Sequence, residues 1–315
     1  MAHSYIDALA ATGVNAVKFQ THIADAESSE FEPFRVNFSY EDKTRIDYWR
    51  RMEFTAEQWA GLKAHCEDKD LEFISSPFSL AAVELLENLG VKRYKIGSGE
   101  VSNMLMLERI TRTQKPVILS SGMSAYEELD QTTRFLNEKK VDYSILQCTT
   151  AYPTEPAQWG LNVIAELKER YQVPIGFSDH SGDIYAGLAA ITLGAEILEF
   201  HVVFDKQMFG PDARSSLTMD QVSRLVTGVE QIKEAQSSDV DKTTSAQFKE
   251  LKGIFEKSLA INKPLPKGHI LTLEDLESKK PRGKGMDAKR FRAVLGKRLR
   301  SDMKEGSFLN EEDFD

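Results

Sequence analysis

Two lysines, two histidines and a set of serines stand at the ends of short apolar runs, and side chains of these types can together hold an anion and a metal ion. The run NAVKF leads into Lys18-Phe19-Gln20-Thr21, and LEFIS into Ser75-Ser76-Pro77-Phe78. Further along come Lys95-Ile96-Gly97-Ser98-Gly99-Glu100, Ser120-Ser121-Gly122, and Gln147-Cys148-Thr149 with Tyr152 behind it. Ser178-Asp179-His180 and Glu199-Phe200-His201 complete the series. Ammonium groups, hydroxyls and glycine-rich turns gathered at one rim suit a phosphate or carboxylate ligand. Two histidines on adjacent strand ends could share a divalent metal. Taken singly each signal is weak: a strand-end histidine is usually a hydrogen-bonded structural residue, Lys18 alone suits an ion pair, and GSG alone is a tight turn. Their convergence on one rim carries the reading. Trp49, Trp59 and Phe73 are expected to pack, and Cys148 to be a small buried hydrophobe. His22, His65 and His269 lack clustered partners in the sequence and take no role. A Ser178–Asp179–His180 triad is not expected, because adjacent residues on a strand end point in different directions.

The elements that must position these residues follow from the same runs. Seven strands are expected, at 15–19, 71–75, 93–98, 116–120, 142–148, 174–178 and 195–202. They are rich in β-branched and aromatic residues with little polar alternation, as parallel strands buried on both faces are. Amphipathic stretches lie between them. In TAEQWAGLKAHCEDKD, Thr55 and Gln58 fit a capping box. SLAAVELLENLG ends in Gly90, as a helix C-cap should. A closed (β/α)8 barrel needs eight strands. The chain opens in a helix from Ala2 to Thr12, stopped by Gly13, so the expected fold is a TIM barrel whose first strand lies ahead of Met1. The competing architecture is an open doubly-wound sheet.

Composition narrows the function classes. The 315 residues are 41% hydrophobic and 28% charged, which allows a sizeable core and argues against global disorder. No apolar run approaches the roughly 20 residues of a membrane-spanning helix, and the start shows no secretory signal. Two cysteines exclude a disulfide framework and a cysteine-rich zinc module, so a reducing cytoplasm is expected. The net charge of −9 argues against nucleic acid as the main partner. That charge is divided. Residues 256–315 hold 14 Lys+Arg against 11 Asp+Glu, a net of +3, leaving −12 on the rest. Ten basic residues and one acid fall within 279–300, which reads as a solvated face or as a basic lobe offered to an anionic ligand.

Three segments are expected: a barrel domain at 1–238, a polar linker at 239–255, and a small C-terminal domain at 256–315. KGHILTLEDLE (267–277) and EGSFLNEEDFD (305–315) repeat a glycine, an apolar pair and an acidic turn, pointing to a pseudo-symmetric β-rich unit. Sixty residues make a marginal core, so this unit is expected to lean on another surface.

The motifs VKFQT, KIGSGE, LSSGM, QCTTAYP, GFSDHSG and FGPDARSSL occur in this order. With them the chain resembles the sialic acid synthase (N-acylneuraminate or nonulosonic acid synthase) family. Its tail, LTLEDLESKKPRGKG…VLGKRL…FLNEEDF, is similar to that family's antifreeze-like (SAF) domain. The resemblance implies condensation of phosphoenolpyruvate with an N-acetylmannosamine-type sugar, giving a nonulosonic acid and phosphate with C–O cleavage. It implies a divalent metal, Mn²⁺ or Mg²⁺, on His180 and His201, polarising the aldehyde. Lys18, Ser76, Lys95, Ser98, Ser120 and Ser178 would bind phosphoenolpyruvate. Glu100 would manage the proton at the new hydroxyl, with Lys18 as the other catalytic group. Gln20, Tyr152 and Asp212 would position the sugar. The family's C-terminal domain reaches across a homodimer to the partner's sugar. The basic residue for that contact would be Arg282 or Lys280, because KKPRGKG departs from the family's Lys-Arg-Pro-Gly order. In FGPDARSSL, Ala213 replaces a frequent histidine, and the family's first strand, with its acidic residue and Asn-His-x-Gly motif, is not seen. The alternatives are another phosphoenolpyruvate–aldose condensing or aldolase-type barrel, and a catalytically silent paralogue. Sialic-, legionaminic- and pseudaminic-type acceptors are not distinguished.

Overall fold

Each of the seven apolar runs forms a strand within two residues of its expected bounds. They are β1 (Ala16–Thr21), β2 (Glu72–Pro77), β3 (Tyr94–Ile96), β4 (Val117–Ser120), β5 (Tyr143–Cys148), β6 (Ile175–Asp179) and β7 (Ile197–Val202). An eighth strand of two residues, β8 (Ser216–Leu217), follows β7 and pairs with it, and the sequence reading missed it. The computed structural model describes residues 1–34 and 39–315 and divides into two units, Met1–Ser238 and Asp239–Asp315.

In the first unit the eight strands form one parallel sheet in the order β1 to β8. Among the described residues no ladder joins β8 to β1. The sheet nevertheless curls round, because Lys18 of β1 reaches Glu199 of β7, six strands along the row, at 3.6 Å. The architecture is that of an opened α/β barrel. Strands β3 to β6 are buried along their whole length, whereas β7, flanked by a two-residue strand, stays half-buried.

Helices cover the outside. α1 (Ala2–Ala10) precedes β1. Between β1 and β2 lie α2 (Ala24–Glu27), α3 (Arg45–Met52) and α4 (Ala56–Asp68). Then α5 (Leu80–Leu89), α6 (Met104–Thr111), α7 (Tyr126–Glu138), α8 (Leu161–Tyr171) and α9 (Tyr185–Thr192) alternate with the strands, and α10 (Met219–Ser237) follows β8. The local signals act as expected. Thr55 and Gln58 close a capping box on α4. Gly90 ends α5 in the left-handed conformation, at φ 71°, where a side chain would clash with its own backbone. Trp59, Leu62, Phe73, Leu86, Tyr94, Leu107, Ile145 and Leu167 belong to the continuous core between sheet and helices.

The second unit begins with residues expected to form a linker, but 249–255 fold into helix α11 (Lys249–Phe255). Strands β9 (Ser258–Ile261) and β10 (Leu276–Lys279) pair antiparallel. The two repeats take the same form: Gly268 and Gly306 turn at positive φ, and Thr272–Asp275 and Asn310–Asp313 cap matching short 3-10 turns. Leu259, Ile261, Leu271, Val294, Leu299 and Leu309 give this unit a core of its own.

Candidate active site

Side chains alternate along a strand, so residues two apart share a face. Lys18 and Gln20 of β1, Ser178 of β6 with His180 just past its end, and Glu199 and His201 of β7 are such pairs, and all six line one cavity at the C-terminal ends of the strands. The cavity encloses about 460 Å³ and also takes in Ser76, Lys95, Ser98, Glu100, Ser120, Tyr152 and Asp212. Every candidate residue of the first unit is therefore brought together. Arg282 belongs to the second unit, where its guanidinium is paired with Asp287 at 2.9 Å and Glu256 at 2.6 Å. Lys280 is exposed, with its ammonium 4.8 Å from the Phe255 ring centre.

The cavity floor is a charge cluster. Glu199 lies between Lys18, at 3.6 Å, and Lys95, at 3.5 Å, and accepts a hydrogen bond from Ser178 Oγ at 2.9 Å. Burial alone would push the Glu199 carboxyl up; the two ammonium groups and the Ser178 hydroxyl outweigh it and hold it near 2, so it is ionised. Lys95, only 3% exposed, donates to Ser120 Oγ at 2.6 Å, and burial lowers its pKa against the opposing pull of Glu199. Two lysines against one carboxylate leave a net positive floor ringed by hydroxyls. Such a floor suits an anionic ligand, with a counter-charge built in for the unliganded lysines.

Toward the mouth, the His180 and His201 rings meet edge to face with centroids 5.1 Å apart, and Tyr152 packs 4.3 Å from His180. Burial lowers the pKa of His180 and takes that of His201 to about 4, with Lys18 and the neighbouring ring adding to the latter, so both imidazoles are neutral at neutral pH. His180 Nδ1 lies 3.1 Å from the Thr149 carbonyl, which can only accept, so the ring proton sits on Nδ1 and the Nε2 lone pair is left for a ligand. Asp212 stands 3.8 Å from His201. Among the described residues no three His, Cys, Asp or Glu side chains converge as a complete metal cage. Two neutral nitrogen donors fit an ion whose other positions are taken by substrate and water. Glu100 accepts from Asn103 Nδ2 at 2.7 Å, which fixes its carboxylate at the rim.

Several residues were missed or given too little. Glu199 had no role, although its two-residue spacing from His201 marks it as facing inward. Trp49 does pack, on His22 at 3.9 Å between ring centres, but it also lines the cavity, as His22 does. The three histidines set aside have partners after all: His22 bonds Glu27, His65 bonds Asp7 and His3, and His269 bonds Asp275. Trp59, Phe73 and Cys148 are buried as expected, and both cysteines are free thiols. No described helix is long and apolar enough to cross a membrane.

Residues 5–253 match the NeuB family, and residues 256–315 match the SAF domain. The N,N'-diacetyllegionaminic acid synthase of Campylobacter jejuni is 31% identical over 99% of this chain and 94% of its own length. The pseudaminic acid synthase of Campylobacter jejuni strain 81-176 is 32% identical over 100% of this chain and 92% of its own. Among solved structures, the N-acetylneuraminic acid (sialic acid) synthetase of Leptospira borgpetersenii, in complex with citrate, superposes with a TM-score of 0.69. It is 29% identical and covers 79% of this chain and 84% of its own. On sequence and fold together, the chain belongs to the NeuB family and carries a C-terminal SAF domain.

Proposed function

We propose that the chain condenses phosphoenolpyruvate with an N-acetylmannosamine-type sugar to give a nonulosonic acid and inorganic phosphate. The observation that carries this is the Lys18–Glu199–Lys95 cluster beneath four inward hydroxyls, with two neutral histidines above it in the same cavity. Lys18 and Lys95 neutralise the phosphate and carboxylate of phosphoenolpyruvate, and Ser76, Ser98, Ser120 and Ser178 donate to its oxygens. Gln20, Tyr152 and Asp212 orient the sugar so that its aldehyde carbon meets C3 of the enol. The new C–C bond forms there and the aldehyde oxygen takes a proton, which Glu100 delivers or steadies. Water adds at C2 with loss of a proton, and the tetrahedral centre collapses to the ketone as its hydroxyl gives up a proton and the C–O bond to phosphate breaks. His180 and His201 would hold a divalent ion, Mn²⁺ or Mg²⁺, which supplies Lewis-acid polarisation of the aldehyde oxygen. The protein acts in the cytoplasm as a homodimer, with the SAF domain of each chain closing the sugar end of the other's site through a basic residue of the 279–300 stretch.

Phosphate release is the test. It should require both phosphoenolpyruvate and an N-acetylated hexosamine, and ¹⁸O in the bridging position should leave with the phosphate. Release from phosphoenolpyruvate alone, or with unmodified aldoses only, would favour another condensing or aldolase-type barrel. A panel of N-acetylmannosamine and diacetamido-dideoxy sugars selects the acceptor. His180→Ala should abolish metal-dependent turnover with its circular dichroism unchanged, and full activity in strong chelator would overturn the metal assignment.

A further inference from the structure

Gly122, just past β4, stands where three strand ends meet. A methyl group on its α-carbon would lie 2.6 Å from Thr150 Oγ1, 2.8 Å from Ser98 Oγ and 2.9 Å from Cys148 Sγ, well inside van der Waals contact. Its φ is not positive, so space and not backbone conformation requires the glycine. The close approach lets the Gly122 N–H donate to Ser98 Oγ at 3.2 Å. The proton of Ser98 itself faces Cys148 Sγ at 3.9 Å, and a thiol sulfur is a weak acceptor. The hydroxyl oxygen is thus fixed by a backbone amide while its proton is held loosely, ready for an anionic oxygen to capture.

We propose that Gly122 is a positioning residue that acts through Ser98, aiming the serine proton at the anionic substrate. The inference rests on reading the cavity as a phosphoenolpyruvate site. Calorimetric titration of the full chain with phosphoenolpyruvate, for wild type, Gly122→Ala, Ser98→Ala and the double variant, tests it. Losing one charge-assisted hydrogen bond should weaken phosphoenolpyruvate binding about tenfold in each single variant. The double variant should bind no more weakly than Ser98→Ala, and the sugar KM should stay unchanged. Additive losses, or a Gly122→Ala chain that binds as wild type does, overturn the proposal. If Gly122→Ala does not fold, ¹⁵N-glycine labelling of the folded chain gives the same information. The Gly122 amide resonance should move on adding phosphoenolpyruvate to wild type and should not move in Ser98→Ala; equal shifts in both overturn the proposal. Wild type that binds no phosphoenolpyruvate would bring down the reading of the cavity itself, whereas binding with additive losses brings down the role of Gly122 alone.

Discussion

A carboxylate at the centre of the proposed anion site looks self-defeating until the lysines are considered without a ligand. Lys95 is buried and would be strongly penalised as an ammonium without a counter-charge. Glu199 supplies that charge and is shared with Lys18, so one carboxylate holds the two lysines apart and offsets the burial of Lys95. Glu199→Gln keeps the shape and removes the charge. Lys95 then keeps the Ser120 hydroxyl and the Ile96 carbonyl as partners but loses the counter-charge of Glu199. Removing one partner of a buried ion pair costs on the order of 3 kcal/mol. Urea unfolding should show that loss at unchanged m-value, together with a fall in kcat. A variant as stable as the parent would mean that the lysines do not depend on Glu199.

At the scale of elements, one buried acid organises a repeat of the C-terminal unit. Asp275, 2% exposed, accepts from Lys263 at 2.9 Å, His269 at 2.8 Å and both the amide and hydroxyl of Thr272. Burial raises its pKa, but these donors overcome it and hold the carboxyl far below the ordinary range. Because the folded value is depressed, its stabilisation is complete above the unfolded carboxylate pKa of about 3.9 and is lost as pH falls below it. Thermal melts of the full chain should therefore fall away below pH 4, and Asp275→Asn should start lower and show a flatter acid limb. Parallel acid limbs would place the acid sensitivity elsewhere. The turn that holds Asp275 was legible as a repeat, because glycine, apolar and acidic residues recur in fixed order. Strands β3 to β6 were legible for a similar reason, since burial on both faces forces a continuous apolar run, and β1, β2 and β7 through their apolar, β-branched and aromatic residues. β8 was not, since a two-residue strand leaves no run to detect. α11 was hidden by the polar stretch before it. The cavity residues were found from their types and their places at strand ends. Glu199 escaped because a carboxylate is unexpected where an anionic ligand is expected, although its alternation with His201 already put it on the inner face.

Along the chain a −12 segment, 1–255, is followed by a +3 tail, 256–315, and under the proposed domain exchange the tail of one chain serves the cavity of the other. Arg282 is already held by Glu256 and Asp287, while Lys280 is exposed beside Phe255, so the basic contact is removed cleanly only by changing both. Consider one chain carrying Lys18→Ala and another carrying Lys280→Ala with Arg282→Ala, co-expressed under different tags and purified as the mixed dimer. Each homodimer should be crippled at sugar concentrations below the wild-type KM, the first for want of a phosphoenolpyruvate lysine and the second for want of the basic contact. In an exchanged mixed dimer, one cavity keeps Lys18 and receives an intact tail, while the other combines both defects. By two-fold symmetry the mixed dimer should recover about half of the wild-type rate. If each chain instead completed its own site, both cavities of the mixed dimer would carry a defect and no recovery would appear. The same measurement therefore decides whether the basic tail works in trans, and it does so without requiring either variant to be inactive for a single known reason.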